Sequence, residues 1–214
     1  MPRHASSIFL TLIVCLFLSA CSSNKQTEPV PPSALLSSGF EKHSPTMGDP
    51  NAPIKVYVFS DFGCNGCREA TDQAKSLIIK NPRDIQVIFK HLPNKARGGS
   101  LTAAKAARAA ALQNRFWDMH DVLFQFSRTR SEKEVHDLAM ILALNLPQFQ
   151  KDFNDQAQLD LITKDASLAR SWGINSTPGF FVNGIPVANS GDLEQAIETA
   201  RRLRPSAGSL PSLR

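Results

Sequence analysis

Ile54-Lys55-Val56-Tyr57-Val58-Phe59-Ser60-Asp61-Phe62-Gly63-Cys64-Asn65-Gly66-Cys67-Arg68 is the stretch on which the reading of this chain turns. Residues 54–59 alternate and are β-branched or aromatic enough to form a strand. A helix carrying Cys67 comes next and runs to about Lys80, where Asn81-Pro82 stops it. Two cysteines three positions apart at a strand-to-helix turn can close into a disulfide, and an exposed helix N-terminus stabilises a thiolate there.

Outward from this unit, residues 85–91 make a second strand. Strand, helix and strand then form a β-α-β unit with parallel neighbours and a right-handed crossover. The chain from there to Gly173 is almost entirely helical. Residues 101–112 are alanine-rich and high in helix propensity. Phe116, Met119 and Leu123 recur at helical spacing, and Ser131 with Glu134 resembles a capping box ahead of Val135, Leu138 and Leu142. Another helix starts at Pro147, where proline suits the first turn, and one carrying Leu161, Leu168 and Trp172 ends at Gly173. Strands return at 180–183 and 185–188 around an Asn183-Gly184 hairpin turn, and residues 193–203 close the domain as a helix. No internal repeat is present.

Upstream, residues 8–18 are apolar, come after Arg3 and His4 and precede small residues, the pattern of a secretory signal peptide. The stretch is too short to span as a mature membrane helix. Leu18-Ser19-Ala20-Cys21 resembles a bacterial lipobox, in which Cys21 is lipidated and begins the mature chain. Of the four cysteines, Cys15 leaves with the signal and Cys21 is blocked, so Cys64 and Cys67 remain as thiols. A disulfide-stapled scaffold is thereby excluded, and export points to an oxidising compartment. A plain signal peptide cut near Ala20 would instead leave a free thiol at Cys21 and no acyl mass. The expected segments are a lipoprotein signal peptide at 1–20, a flexible tether at 21–47, the folded domain at 48–204 with a helical insertion at about 99–173, and a disordered tail at 205–214. Ser, Pro and Lys dominate the tether, where Pro29, Pro31 and Pro32 fall close together.

A hydrophobic fraction of 42% is that of a soluble globular chain. The formal charge of +5 drops by one when Arg3 leaves with the signal, and several arginines of the remainder lie in the tail. Neither that excess nor any aromatic-interleaved basic stripe points to nucleic acid.

The element order, with Cys64-Asn65-Gly66-Cys67 at one end and Ser176-Thr177-Pro178-Gly179-Phe180-Phe181-Val182-Asn183-Gly184 at the other, resembles the DsbA-like branch of the thioredoxin superfamily, here in lipoprotein form. Gly48-Asp49-Pro50-Asn51-Ala52-Pro53 before the first strand and Phe116-Trp117-Asp118-Met119-His120 in the helical block add to the resemblance, which spans residues 48–203. It implies an α/β, thioredoxin-like fold with an inserted helical domain. It also implies a thiol:disulfide oxidoreductase of the bacterial cell envelope, facing the periplasm and anchored to a membrane through lipid at Cys21. Its partners would be exported protein thiols or disulfides and an unidentified redox partner. No cofactor and no metal is implied. Isomerase relatives add a dimerisation domain for which residues 22–46 are too short, so a monomer acting as an oxidase is the leading expectation.

The resemblance also implies roles for particular residues. Cys64 attacks and Cys67, more buried, resolves. The helix dipole alone, worth about 0.3–1 kcal/mol at a surface and up to about 2 when partly buried, lowers the Cys64 pKa by about one unit. Arg68, four residues on, is a candidate for further thiolate tuning, as are Asn65 and Gly66, which stand where many relatives carry Pro-His or Pro-Tyr. Thr177 and Pro178 are expected to bind substrate, the proline cis and facing the cysteines with the backbone before it free to pair with an extended peptide. Val58 occupies the position of a buried acid in many relatives, Asp61 is expected to point elsewhere, and Gly63 to widen the substrate rim. His91, His120 and His136 lack zinc-finger spacing and read as core-edge or surface residues, and Phe116, Trp117 and Phe124 as a packing stripe. Two other functions are compatible with the residues: a soft-metal carrier holding an ion such as Cu(I) on the two thiolates, and a non-catalytic thioredoxin-like binding module.

Overall fold

The structure, a computed structural model, describes residues 41–126 and 131–203. The expected signal peptide, the lipidation site at Cys21, most of the tether and the tail lie outside the described residues. The elements run β1 (Thr46–Gly48), β2 (Ile54–Ser60), α1 (Cys67–Lys80), β3 (Ile85–His91), α2 (Ser100–Ala111), α3 (Phe116–Gln125), α4 (Glu132–Ile141), α5 (Leu146–Phe153), α6 (Gln156–Ser171), β4 (Gly179–Val182), β5 (Ile185–Val187) and α7 (Leu193–Arg202). The fold is thioredoxin-like, with helices α2 to α6 set between the two β halves.

The sheet has the order β1-β3-β2-β4-β5. Strand β2 lies at its centre, parallel to β3 and antiparallel to β4. Its alternation therefore serves two buried faces. Ile54, Val56 and Val58 pack with Ala70, Ala74 and Leu77 of α1 and with Leu193 and Ile197 of α7. On the opposite face Tyr57 and Phe59 meet Leu168 and Trp172 at the end of α6. Trp172 stacks on Phe181 with ring centroids 4.2 Å apart and meets Tyr57 edge-on at 5.1 Å.

The helical insertion has its own core. Ala103, Ala106, Ala107, Ala109 and Ala110 of α2 are fully buried, their small side chains letting neighbouring helices approach. Phe89 reaches from β3 into this cluster beside Phe62, Phe116 and Met119. The Ser131–Glu134 capping box is formed in both directions. Helix α5 begins one residue before Pro147, because the Asn145 side chain caps it by accepting from the Gln148 N–H at 3.0 Å. Lys90 ties sheet to insertion: buried on β3, it pairs with Asp165 of α6 at 3.0 Å, and the same carboxylate accepts from the His91 N–H at 2.9 Å.

At the β4–β5 turn both Asn183 (φ 45) and Gly184 (φ 94) are left-handed, as a two-residue hairpin matched to strand twist requires. The Asn183 side chain also accepts from the Lys55 N–H at 2.8 Å and donates to the Pro53 carbonyl at 2.9 Å.

The folded part starts earlier than residue 48. Strand β1 pairs antiparallel with β3, the Phe89 N–H donates to the Pro45 carbonyl, the Tyr57 hydroxyl donates to Glu41, and Arg108 donates to the His43 carbonyl. These contacts are made largely through main chain. The composition of residues 41–47 accordingly carries no sign of them, and the expected tether extends too far.

Candidate active site

Parallel pairing of β2 with β3 brings Ser60 opposite His91, so the loops that leave the two strands share one end of the sheet. The first loop, residues 61–66, carries Cys64; the second, residues 92–99, carries Arg97. Strand β4 enters the same end from Thr177-Pro178, whose peptide bond is cis. Together Gly63, Cys64, Asn65, Gly66, Arg97, Gly98, Thr177 and Pro178 line an open groove of about 550 Å³.

Cys64 sits in a tight turn in which its N–H donates to the Asp61 carbonyl at 2.9 Å. Helix α1 begins only at Cys67, with Gly66 as an N-cap that offers no side-chain acceptor. The first backbone N–H groups are thus left to face the sulfur. Cys64 is 8% exposed and Cys67 wholly buried, which makes the groove the route to either sulfur. The Cys64 thiol also donates to the Thr177 carbonyl at 3.4 Å.

That bond favours the thiol, but the other neighbours favour the ionised form of Cys64 and bring its pKa down to about 5. A hydrogen bond from the Cys67 thiol contributes most, against an opposing effect of burial; the Thr177 side chain and the backbone N–H groups of Gly66 and Cys67 contribute the rest. Cys67 moves the opposite way, raised by its hydrogen bond to Cys64 and then by its burial. One sulfur of the pair is held ionised while the other is held as a thiol. Such a pair can exchange disulfides at neutral pH.

Arg68 does not supply the cation expected of it. Cys64 lies ahead of the helix rather than on it, so a four-residue spacing places nothing on a shared face. The Arg68 side chain is 57% exposed and lies 3.8 Å from Asp72. Gly66 acts on Cys64 through its backbone, and Asn65 lines the groove. The cation on the groove is Arg97, whose Nη1 donates to Asp61 at 2.9 Å. Asp61 is bound to the second loop: its side chain is fully buried and accepts from the Gly63 N–H at 2.9 Å and the Asn94 N–H at 3.3 Å as well. Gly63 does not widen the rim. A Cβ there would come within 2.7 Å of the Ser100 hydroxyl and 3.4 Å of Arg97 Cδ, so its missing side chain is what lets the second loop close on the first.

Arg97 and Ser100 carried no motif. A signal was nevertheless available, since a β-α-β unit puts the carboxyl ends of its two parallel strands side by side. Phe62 anchors the cysteine loop to the insertion, with ring centroids 5.0 Å from Phe124 and 5.8 Å from His120. His91 and His120 prove fully enclosed rather than edge residues, each 1% exposed. Among the described residues no group of three or more His, Cys, Asp or Glu is placed to hold a metal ion.

A thioredoxin fold bearing a dithiol at a helix N-terminus opposite a cis-proline defines the class of protein. The thioredoxin family model matches residues 41–199, and the chain belongs to that family. Within it the fold is DsbA-like. A thioredoxin-like oxidoreductase from Silicibacter pomeroyi DSS-3 superposes with a TM-score of 0.70 at 26% identity, over 78% of this chain and 99% of that one. The thiol-disulfide exchange protein alpha-DsbA2 from Wolbachia pipientis gives 0.66 at 21% identity, over 78% and 92%. BdbD from Bacillus subtilis gives 0.63 at 23%, over 75% and 92%; at these two identities the likeness is one of fold. Among curated relatives, Na(+)/H(+) antiporter NhaA 1 of Mycolicibacterium vanbaalenii is 30% identical over 158 residues, which are 71% of this chain and 26% of the antiporter. NhaA 3 of Salinispora tropica is 31% identical over 174 residues, 78% and 26%. The chain spans about a quarter of the length of these relatives, and no helix among the described residues is long and apolar enough to cross a membrane.

Proposed function

We propose that this chain is a thiol:disulfide oxidoreductase of the bacterial cell envelope, tethered by lipid at Cys21 and oxidising thiols of exported proteins through Cys64 and Cys67. The observation that carries the reading is the opposed ionisation of the two sulfurs beside an open groove. A low thiolate pKa stabilises the reduced pair and so makes its disulfide the better oxidant.

Catalysis starts from the Cys64–Cys67 disulfide. A substrate thiolate attacks Sγ of Cys64, the accessible sulfur, and the S–S bond breaks with its electron pair leaving on Cys67. Cys67, whose pKa is raised, takes up a proton. The mixed disulfide between Cys64 and substrate is attacked at the substrate sulfur by a second substrate thiolate, and Cys64 departs as the stabilised thiolate. Substrate has then lost two electrons and the protein has gained them. A disulfide-bearing redox partner must remove them before the next turnover, and in the reverse direction the same atoms reduce a disulfide. Thr177, ahead of Pro178 in the groove, would hold the extended peptide through its backbone. Lipid at Cys21, separated from residue 41 by a proline-rich stretch, would let the domain range about 25 Å from the membrane face.

Equilibration with glutathione buffers tests the direction. A potential far less negative than about −270 mV supports an oxidase, and one near that value supports a reductase instead. Oxidation of a model dithiol peptide should be lost in Cys64→Ser, and Cys67→Ala should trap substrates as mixed disulfides. Absence of turnover in the unaltered protein would leave a binding module. Mass spectrometry of the mature chain tests for acyl groups on Cys21.

A further inference from the structure

Among the residues lining the groove at Cys64, Arg97 alone carries a permanent charge. We propose that Arg97 is a specificity-determining residue that selects thiol substrates with a carboxylate next to the reacting cysteine. The proposal rests on the oxidoreductase reading and adds a substrate class to it.

The Asp61–Arg97 pair is asymmetric. Its carboxylate is fully enclosed and accepts from Gly63 and Asn94 in addition to Arg97, whereas the arginine side chain is 42% exposed. The pair therefore presents its positive end to the groove. A guanidinium has five N–H groups, and the contact with Asp61 is made through Nη1, which leaves capacity for a second acceptor. The neighbouring positions give a flanking side chain room: a Cβ at Gly98 would meet nothing within 4 Å, and one at Gly66 only Pro178 at 3.8 Å. In the oxidised protein Cys64 is uncharged, and the guanidinium is available to a substrate carboxylate.

The test uses the oxidised protein and three otherwise identical cysteine peptides in which the reacting residue is flanked by Glu, Gln or Lys. Second-order rates of reduction of the protein disulfide are divided by each peptide's rate with an uncharged disulfide, bis(2-hydroxyethyl) disulfide, which removes intrinsic differences in thiol reactivity. The expected order is Glu, Gln, Lys, with about a five-fold span at low salt that shrinks towards unity at about 1 M salt, as for a partly exposed charge pair. Arg97→Lys should keep the order and Arg97→Gln abolish it. Equal normalised rates for the three peptides in the unaltered protein would overturn the proposal without any variant having to fold. If the protein reacts no faster than the uncharged disulfide with every peptide, the oxidoreductase reading falls as well; fast but equal rates remove the role of Arg97 alone.

Discussion

Replacing Cys67 with alanine isolates the interaction that sets the reactivity of Cys64. The Cys67 thiol contributes most to lowering Cys64, which stands at about 5. A hydrogen bond to a charged acceptor is worth about 1.5–3 kcal/mol, and one pKa unit corresponds to about 1.4 kcal/mol. Loss of the donor should therefore move Cys64 up by about one to two units. The Thr177 side chain and the N–H groups at the start of α1 remain, and they keep the value below the ordinary thiol range near 8.5. The assay is thiolate absorbance, with the rate of iodoacetamide labelling as a second readout, over about pH 3 to 10. Linkage gives an independent check on the reduced, unaltered protein. Because the folded pKa is depressed, the stabilisation from ionised Cys64 is fully present above the unfolded value near 8.5, declines as pH falls, and is gone below about 5. At pH 7 the two-unit gap amounts to at most about 2.7 kcal/mol, and less once solvent access through the groove is counted. A Cys64 pKa that stays near 5 in Cys67→Ala would refute the reasoning by assigning the whole effect to the helix end and Thr177. A value at 8.5 or above would show that neither of these acts on the sulfur.

The same contacts set further outcomes. Between about pH 5 and 8 the potential of the pair should fall by about 30 mV per pH unit, since Cys67 alone takes up a proton on reduction, and below about pH 5 by about 60 mV; a single steep slope throughout would mean that Cys64 is not ionised at neutrality. Lys90→Met leaves Asp165 buried without its cation and should lower stability by about 3 kcal/mol in urea unfolding, whereas an unchanged midpoint would show the ion pair to be dispensable. His91 has both ring nitrogens buried without a hydrogen-bond partner among the described residues, and burial holds its pKa well below the ordinary value. The unfolded chain then binds the proton first, so stability present above about pH 6.5 is lost as pH falls. Measured on the disulfide form, where Cys64 does not titrate, His91→Leu should flatten that decline by about 1.4 kcal/mol per pH unit; an unaltered slope would place the acid sensitivity elsewhere. Trp172→Ala, which empties the face between α6 and the sheet, should cost about 3–5 kcal/mol, and a loss below about 1 kcal/mol would contradict the packing described.

Strand β2, helix α1, strand β3 and the run of insertion helices were legible because each is announced by its own residues: alternation in 54–60, the Asn81-Pro82 stop, the alanines of α2, the Ser131–Glu134 box. Strand β1 was not, since Thr46–Gly48 is held by main-chain pairing to β3 and has no apolar period of its own. The assignment of Arg68 failed for a related reason. Treating Cys64 as the first helical residue makes Arg68 its neighbour on a face, whereas the turn at 61–66 ends before the helix begins and sends the two side chains apart.

The chain's local chemistry, taken alone, determined that a strand would deliver two cysteines to the start of a helix and that a proline-bearing hairpin would return late in the sequence. Such features depend on residues a few positions apart. Tertiary structure decided what surrounds the sulfur. Thr177 lies 113 positions from Cys64 and bonds to it, and Arg97 lies 36 positions from the Asp61 that holds it. The sheet order sets β3 and β4 on either side of β2, so their ends converge on one loop, and a linear pattern does not record which ends will meet.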